Sequence, residues 1–119
     1  MANEISMVRG DTLIIAVDVL DENGAAYNPA VDDEIIITVR EWDENGTIVL
    51  QKDQDDADVV VVAGGWTIEI EPADTEDWEY IPYVYDIEVT LADGYKQTII
   101  PYAPFTLTKE VTYADPVTP

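Results

Sequence analysis

The densest group of possible metal ligands in the sequence is a short acidic loop at residues 53–58. It contains four aspartates, Asp53, Asp55, Asp56 and Asp58. Carboxylate oxygens are the ligands that calcium takes in sets of about six to eight. An EF-hand loop would also need a glycine at its sixth position and a glutamate at its twelfth, where this sequence has Asp58 and Gly64. We therefore expect weak, nonspecific calcium binding at most, and no dedicated metal or cofactor site.

Carboxylate pairs are the one set of catalytic groups that the sequence supplies in quantity. It has 26 acidic residues, and two carboxyl groups can hydrolyse glycosides when burial raises the pKa of one of them. No spacing marks one pair as special. Histidine and cysteine are absent, which removes the Ser-His-Asp triad, thiolate catalysis and disulfides. The sequence also lacks a phosphate-binding glycine loop and a nucleophile elbow. We therefore expect the protein not to be an enzyme.

Aromatic side chains could bind other molecules. The sequence has three tryptophans and seven tyrosines, whose rings combine apolar faces with a polar atom and suit sugar stacking or protein interfaces. The alternation around Trp66 predicts a buried ring. Exposed rings are expected near turns and strand edges, at Tyr95, Tyr102 and Tyr113.

Arg9-Gly10-Asp11 is the tripeptide that integrin ligands present in an exposed loop. Here it lies between two predicted strands, where glycine suits a turn. We interpret the tripeptide as a turn, not as an adhesion motif.

The balance of charge is strongly acidic. Against 26 acidic residues the sequence has five cations, so its net charge is −21 at pH 7. Binding to nucleic acid phosphates or to anionic membranes depends on lysine and arginine, so we expect neither partner. The first residues have neither the basic start nor the apolar stretch of a secretory signal. We therefore expect cytoplasmic synthesis without a signal peptide.

Apolar residues recur at every second position in short runs, which predicts β-strands nearly everywhere. The alternation is clearest at residues 66–71 and 83–91. Further strands are predicted at 5–8, 13–20, 34–42, 47–52, 59–63, 95–100 and 105–111. Two copies of Asp-Glu-Asn-Gly, at 21–24 and 43–46, predict turns, because Asn-Gly supplies the positive φ that tight turns require. The only candidate helical turn lies at 72–78.

These elements predict an all-β fold, an immunoglobulin-like two-sheet β-sandwich of about seven or eight antiparallel strands with at most one short helical turn. A partly open barrel is the alternative. We expect one domain at residues 1–112 and a C-terminal tail at 113–119 that has little to bury. Because Pro101 and Pro104 cannot donate ladder hydrogen bonds, the last strand is expected to bend there and to lie at a sheet edge.

Several short motifs occur in an order that resembles one protein family. They are Arg9-Gly10-Asp11-Thr12, Asn23-Gly24, the strand ending at Arg40, Pro72-Ala73-Asp74-Thr75, Tyr83-Val84-Tyr85-Asp86-Ile87, Asp93-Gly94, Thr98-Ile99-Ile100, Phe105-Thr106-Leu107 and Val111-Thr112. Over nearly the whole chain, this order resembles the amino-terminal domain of phage baseplate upper proteins and related small immunoglobulin-like domains of tailed phages and prophages. The resemblance implies a virion part that joins a tail or baseplate to a receptor-binding component, usually as an oligomer.

We therefore expect a virion structural protein of a phage or prophage, associated with the baseplate or tail, that acts as an assembly or attachment module through sheet edges and loops. Its partners would be other virion proteins and further copies of itself, and it would become a virion component after assembly. The expected interface is the last strand, at Lys96, Thr98, Ile100, Tyr102, Phe105 and Thr108. The alternative function is a bacterial adhesion or carbohydrate-binding β-sandwich module, in which Trp78 and Tyr80 would stack on sugar.

Overall fold

The computed structural model of the chain describes residues 4–109. Alternating runs form eight β-strands, and the segment that begins with proline forms one short helix. The elements are β1 (Ile5–Val8), β2 (Leu13–Asp18), β3 (Glu34–Glu41), β4 (Ile48–Asp53), β5 (Val59–Val62), β6 (Gly65–Ile70), α1 (Pro72–Thr75), β7 (Tyr83–Thr90) and β8 (Lys96–Thr108). Residues 110–112 of the predicted domain and the predicted tail at 113–119 lie outside the described residues.

The strands form two sheets that pack face to face. The large sheet has the order β1-β8-β7-β3-β4, and the small sheet has the order β2-β6-β5. Alternation along each strand directs every second side chain into the space between the sheets. There Ile37, Val39 and Ile87 of the large sheet, and Trp66 and Ile68 of the small sheet, are at most 1% exposed. The predicted all-β two-sheet sandwich is confirmed.

The strand order is immunoglobulin-like. Strands β3, β7 and β8 correspond to C, F and G, β4 to C′, and the small sheet to B, E and D. One pair departs from the predicted antiparallel arrangement, because β1 pairs with β8 in parallel, from Ile5 opposite Phe105 to Val8 opposite Thr108. Parallel neighbours need a long crossover connection. Here that connection is the rest of the domain, so local sequence gives no sign of the pairing.

The prediction that β8 is an edge strand is wrong for part of its length. β1 covers residues 105–108, whereas no described strand pairs with the outer side of 96–104. Against β7, the register shifts twice: Pro101 and Tyr102 lie opposite Asp86, and Ile99 is one extra residue between Ile100 and Thr98. Bulges of this kind accommodate proline and bend a strand locally. The predicted bend therefore takes the form of bulges within one continuous strand.

The two Asp-Glu-Asn-Gly segments form turns of the same design. In each, the aspartate carbonyl accepts the glycine N–H, at 3.0 Å from Gly24 and 2.9 Å from Gly46. The aspartate side chain accepts the asparagine N–H at 2.8 Å and 2.9 Å, respectively. Gly24 has the predicted positive φ, of 83°. Gly46 does not have the predicted positive φ. A glycine is needed there because a Cβ would collide with the carbonyl oxygen of Glu41.

The connection from β6 to β7 is fixed by α1 and by Tyr83. Pro72 begins α1, where its missing N–H removes no helical hydrogen bond. Tyr83 begins β7 and is 3% exposed, and its hydroxyl donates to the carbonyl of Glu79 at 2.7 Å. A tyrosine at this corner that bonds to backbone a few residues upstream is a feature of immunoglobulin sandwiches. The ring of Tyr83 also packs against Trp78, with centroids 4.7 Å apart.

Replacing Tyr83 by phenylalanine is expected to lower the free energy of unfolding by about 1 kcal/mol, because the bond to Glu79 is lost while ring packing is retained. Urea denaturation measures the change. The control is Tyr95→Phe, at a ring that is 37% exposed, where the change should stay below about 0.5 kcal/mol. If Tyr83→Phe lost no more stability than this control, the corner hydrogen bond would have no stabilising role.

Candidate functional site

The carboxylates of the acidic loop bind backbone and a lysine, and they do not converge on one point. Asp53 Oδ1 accepts the N–H of Asp55 at 3.0 Å, and Asp56 Oδ1 accepts the N–H of Asp58 at 2.9 Å. Asp58 Oδ2 accepts from Lys52 Nζ at 2.6 Å. Within residues 4–109, no group of three or more acidic side chains is placed so that it could hold a metal ion. The loop is thus organised by local turns and by Lys52.

Lys52 is the centre of a charged cluster that links the two sheets. Only 5% of this β4 residue is exposed, and its Nζ lies 2.6 Å from Asp58 Oδ2 and 2.9 Å from Asp74 Oδ2. Desolvation favours a lower pKa of Lys52, but its bonds to Asp58 and Asp74 outweigh this effect and raise the pKa. The bond to Lys52 lowers the pKa of Asp58, whereas the neighbouring carboxylate of Asp58 raises the pKa of Glu71. The Lys52 ammonium therefore offsets the repulsion among the neighbouring carboxylates, where β4, the loop before β5 and α1 meet.

The residues predicted as an interface differ in their exposure. The exposed members are Lys96, Thr98, Tyr102 and Thr108. Ile100 is half-buried and packs against the rim of the core. Thr108 lies in the part of β8 that β1 covers, and its hydroxyl donates to the Met7 carbonyl at 3.2 Å. The surface that remains accessible is therefore formed mainly by residues 96–102.

Phe105 does not belong to this surface, and its prediction as an interface residue is wrong. Its side chain is 0% exposed. Its ring lies 5.9 Å from Trp78 and 6.0 Å from Tyr85, measured between centroids. After the bulges, alternation along β8 directs Phe105 inward, so this ring fills the core below the corner. The number of bulges determines which face each residue takes, and the sequence alone does not reveal it.

Tyr102 is the aromatic member of the predicted interface that stays at the surface. It is 47% exposed on the outer face of the large sheet. Beside it is a depression whose lining includes Arg40, Val84 and Asp86. Burial and the charge of Glu88 raise the pKa of Asp86, against the opposing charge of Arg40. The arrangement combines an exposed ring with charges of both signs, as interfaces commonly do.

Trp78 and Tyr80 do not form an open platform for sugar. Trp78 packs against Tyr83 and Phe105. Tyr80 is 38% exposed, but the guanidinium carbon of Arg9 lies 4.6 Å from its ring centroid and Lys109 Nζ lies 5.7 Å away. These distances are those of cation–π contacts. The ring is therefore already in contact with cations of its own chain.

The Arg9-Gly10-Asp11 segment is a turn. Gly10 has a φ of 83°, and its N–H donates to the Oγ1 of the buried Thr75 at 2.9 Å. Arg9 Nη1 donates to the Trp78 carbonyl at 3.3 Å. The segment holds the first strands against the α1 corner, and the arginine contacts its own domain.

Trp42 is an exposed aromatic residue that sequence reasoning missed, because alternation continues the third strand through it. It is 59% exposed, and among the described non-glycine residues it alone has a positive φ, of 69°. The N–H of Asp43 donates to the Glu41 carbonyl at 2.8 Å, so Trp42 is the central residue of a strained γ-turn. Its own N–H donates to the Pro82 carbonyl at 2.8 Å. The turn thus holds an indole at the surface beside the α1 corner.

These features define an all-β sandwich of immunoglobulin-like strand order whose candidate sites are surfaces. A scan against protein-family models finds no match, and a search of curated proteins finds no significant match. Within residues 4–109 there is no helix with the length and hydropathy required to span a membrane.

Proposed function

We propose that the protein is a non-enzymatic structural module of a tailed phage or prophage virion, associated with the baseplate or tail. It acts as an assembly or attachment module, and its partners are other virion proteins and further copies of itself. The order of motifs from Arg9 to Thr112 supports the proposal through its resemblance to baseplate upper protein domains. The sandwich fold agrees with that resemblance.

The observation that carries the proposal is the exposed surface around Tyr102. Tyrosine is one of the residues enriched at the energetic centres of interfaces. Arg40 and Asp86 line the adjoining depression, and charged groups around an apolar centre fix the orientation of a partner. We therefore assign the partner contact to the outer face of the large sheet at Tyr102.

The net charge of −21 contributes to assembly in a second way. Like charge suppresses association between free subunits, and opposite charge on a partner accelerates encounter. Subunits would stay apart until a complementary surface is present. Encounter with an oppositely charged partner should therefore be slower at high salt, because the Debye length is about 3 Å at 1 M and about 8 Å at physiological ionic strength.

Purified virions test this proposal. In virions from the producing strain, we expect the chain to co-sediment with particles through a density gradient, and immunogold labelling to place it on the tail. Tyr102→Ser should reduce incorporation about tenfold, because a central interface ring contributes on the order of 1–2 kcal/mol. The control is Tyr95→Ser, at a ring of similar exposure in the β7–β8 turn, which should incorporate normally. Absence of the chain from virions would refute the proposal, and normal incorporation of Tyr102→Ser would refute the assigned surface.

A further inference from the structure

Strand β5 is an edge strand made entirely of valine. Val59–Val62 pairs with β6 on one side, and no described strand pairs with its other side. Val60, Val61 and Val62 are 50%, 53% and 40% exposed. β-branched residues fit a pleated surface well. The edge is therefore already shaped for an additional strand.

The open half of β8 is protected against strand addition, whereas β5 is not. Residues 96–104 include Lys96, Pro101, Pro104 and two bulges. Charge, proline and bulges are the features by which natural edge strands avoid pairing with other chains. β5 has no charged residue and no proline, and its register against β6 contains no shift. Strand addition is therefore favoured at β5, on the opposite sheet from Tyr102.

The backbone of β5 offers hydrogen-bonding groups at this edge. The N–H of Glu69 donates to the Asp58 carbonyl at 2.9 Å. Because bonded and non-bonded pairs alternate along an antiparallel ladder, Val60 is the next residue bonded to β6. Val61, between bonded positions, directs its N–H and C=O away from β6. Its N–H is therefore a specific reporter of an added strand.

A groove beside β5 can receive side chains of such a strand. It encloses about 390 Å³. Its lining includes the apolar residues Pro29, Val31, Val61 and Trp66 and the polar residues Asp33, Gln54 and Asp55. Val31, on its rim, is 94% exposed. In strand addition, backbone bonds supply affinity, and pockets for every second side chain supply specificity. The groove suits small apolar side chains at alternate positions.

The charge around β5 selects the partner. The three strands of the small sheet contain Asp18 and Glu69 and no lysine or arginine. The loop before β5 adds Asp55 and Asp56, and Lys52, which precedes this loop, is already bound to two aspartates. A second copy of the chain would bring the same acids to the same edge. Like charge at close range disfavours that pairing and favours a cationic strand.

We propose that β5 is the docking edge for an extended segment of a different protein, in which small apolar residues alternate with lysine or arginine. The apolar residues enter the groove at Val61, and the cations lie over the outer face of β5, on the side of Glu69 in the neighbouring strand β6. Their aliphatic stems cover Val60 and Val62. This docking does not depend on the proposed virion function.

Labelled peptides test the docking with the full chain. A short peptide of alternating lysine and valine should bind in fluorescence anisotropy and should slow hydrogen exchange at the N–H of Val61. A peptide with glutamate in place of lysine should not bind, because its charge has the wrong sign. A lysine–valine peptide in which every backbone amide is N-methylated should not bind either, because neither of its edges can donate to the ladder. Binding of either control as tight as that of the parent peptide would overturn the proposal.

Two matched variants locate the site. Val61→Lys should weaken binding about tenfold, because it removes an apolar contact and adds a repulsive charge. Ile14→Lys makes the same change of charge at a residue that is 62% exposed on the other edge strand of the small sheet, and it should weaken binding less than about twofold. Thermal unfolding verifies that both variants fold. If both variants weakened peptide binding equally, the assignment of the site to β5 would be refuted. If the chain alone dimerised and its Val61 N–H were protected from exchange, the proposal of a different protein as the partner would be refuted.

Discussion

Substitution of Asp33 by asparagine should lower the free energy of unfolding by about 3 kcal/mol, because it leaves buried donors without an acceptor. Asp33 is 1% exposed. Its carboxylate accepts the Tyr27 hydroxyl at 2.7 Å, the Ala30 N–H at 2.7 Å and the Ala92 N–H at 2.8 Å. These bonds tie the β2–β3 connection to the turn between β7 and β8. Asparagine has one oxygen, so at least one donor would face an NH₂ group.

Asp32→Asn is the matched control for this prediction. Asp32 is the neighbouring residue and is exposed, so its substitution should change stability by less than about 0.5 kcal/mol. Urea denaturation at neutral pH compares the two variants. Similar losses in both would mean that the three bonds to Asp33 contribute nothing beyond a surface charge.

The effect of Asp33 should also depend on pH. Burial favours a higher pKa of Asp33, but the bonds from Ala30, Tyr27 and Ala92 outweigh burial and hold the pKa below its ordinary value of 3.8. A carboxyl group with a lowered folded-state pKa contributes stability above its unfolded-state pKa, and this contribution is lost as pH falls through the folded-state value. The difference in the free energy of unfolding between the parent chain and Asp33→Asn should therefore be largest at neutral pH, and it should become smaller below pH 3.8.

Replacement of Lys52 by methionine is expected to cost about 2–3 kcal/mol of folding free energy. Methionine retains an unbranched apolar stem but removes the ammonium, so Asp58 and Asp74 remain crowded beside Glu71 without a cation. Because the pKa of Lys52 is raised, its contribution is complete below the ordinary value of 10.5 and is lost as pH rises through the folded-state pKa. Chemical denaturation at neutral and at alkaline pH measures both effects.

Lys96→Met provides the comparison for Lys52. Lys96 Nζ lies 3.6 Å from Glu88 Oε1, and their side chains are 62% and 36% exposed. A surface pair of this kind contributes little, so we expect a loss below about 0.5 kcal/mol. If Lys52→Met lost no more folding free energy than Lys96→Met, or if it stabilised the chain, the buried cluster would not have the stabilising role assigned to it.

Local patterns were sufficient to predict the sandwich and many of its faces. Along β7, Tyr83, Tyr85, Ile87 and Val89 all lie inward, as alternation indicates, and each is at most 3% exposed. Both Asp-Glu-Asn-Gly segments are turns, and the short helix lies at the predicted corner. These features depend on neighbouring residues alone. They can therefore be inferred without knowledge of strand partners.

The remaining features depend on contacts between distant residues. Asp33 receives the N–H of a residue 59 positions away, and nothing in its local sequence distinguishes it from Asp32. Lys52 follows the inward alternation of β4, but a lysine normally indicates solvent unless its partners are known. In β8, the bulges determine that Phe105 faces inward, and the pairing with β1 determines that residues 105–108 are not at an edge. That β5 is an edge strand follows only from the order of strands in the sheet, which local sequence does not reveal.

Tension applied between residues 4 and 109 would pull β1 and β8 in opposite directions along their common axis, because these strands are parallel neighbours. The ladder between them would then be loaded in shear, so its bonds would resist together instead of opening one after another. The β1–β8 pair should therefore withstand force applied at residues 4 and 109 better than a pair whose bonds open one at a time.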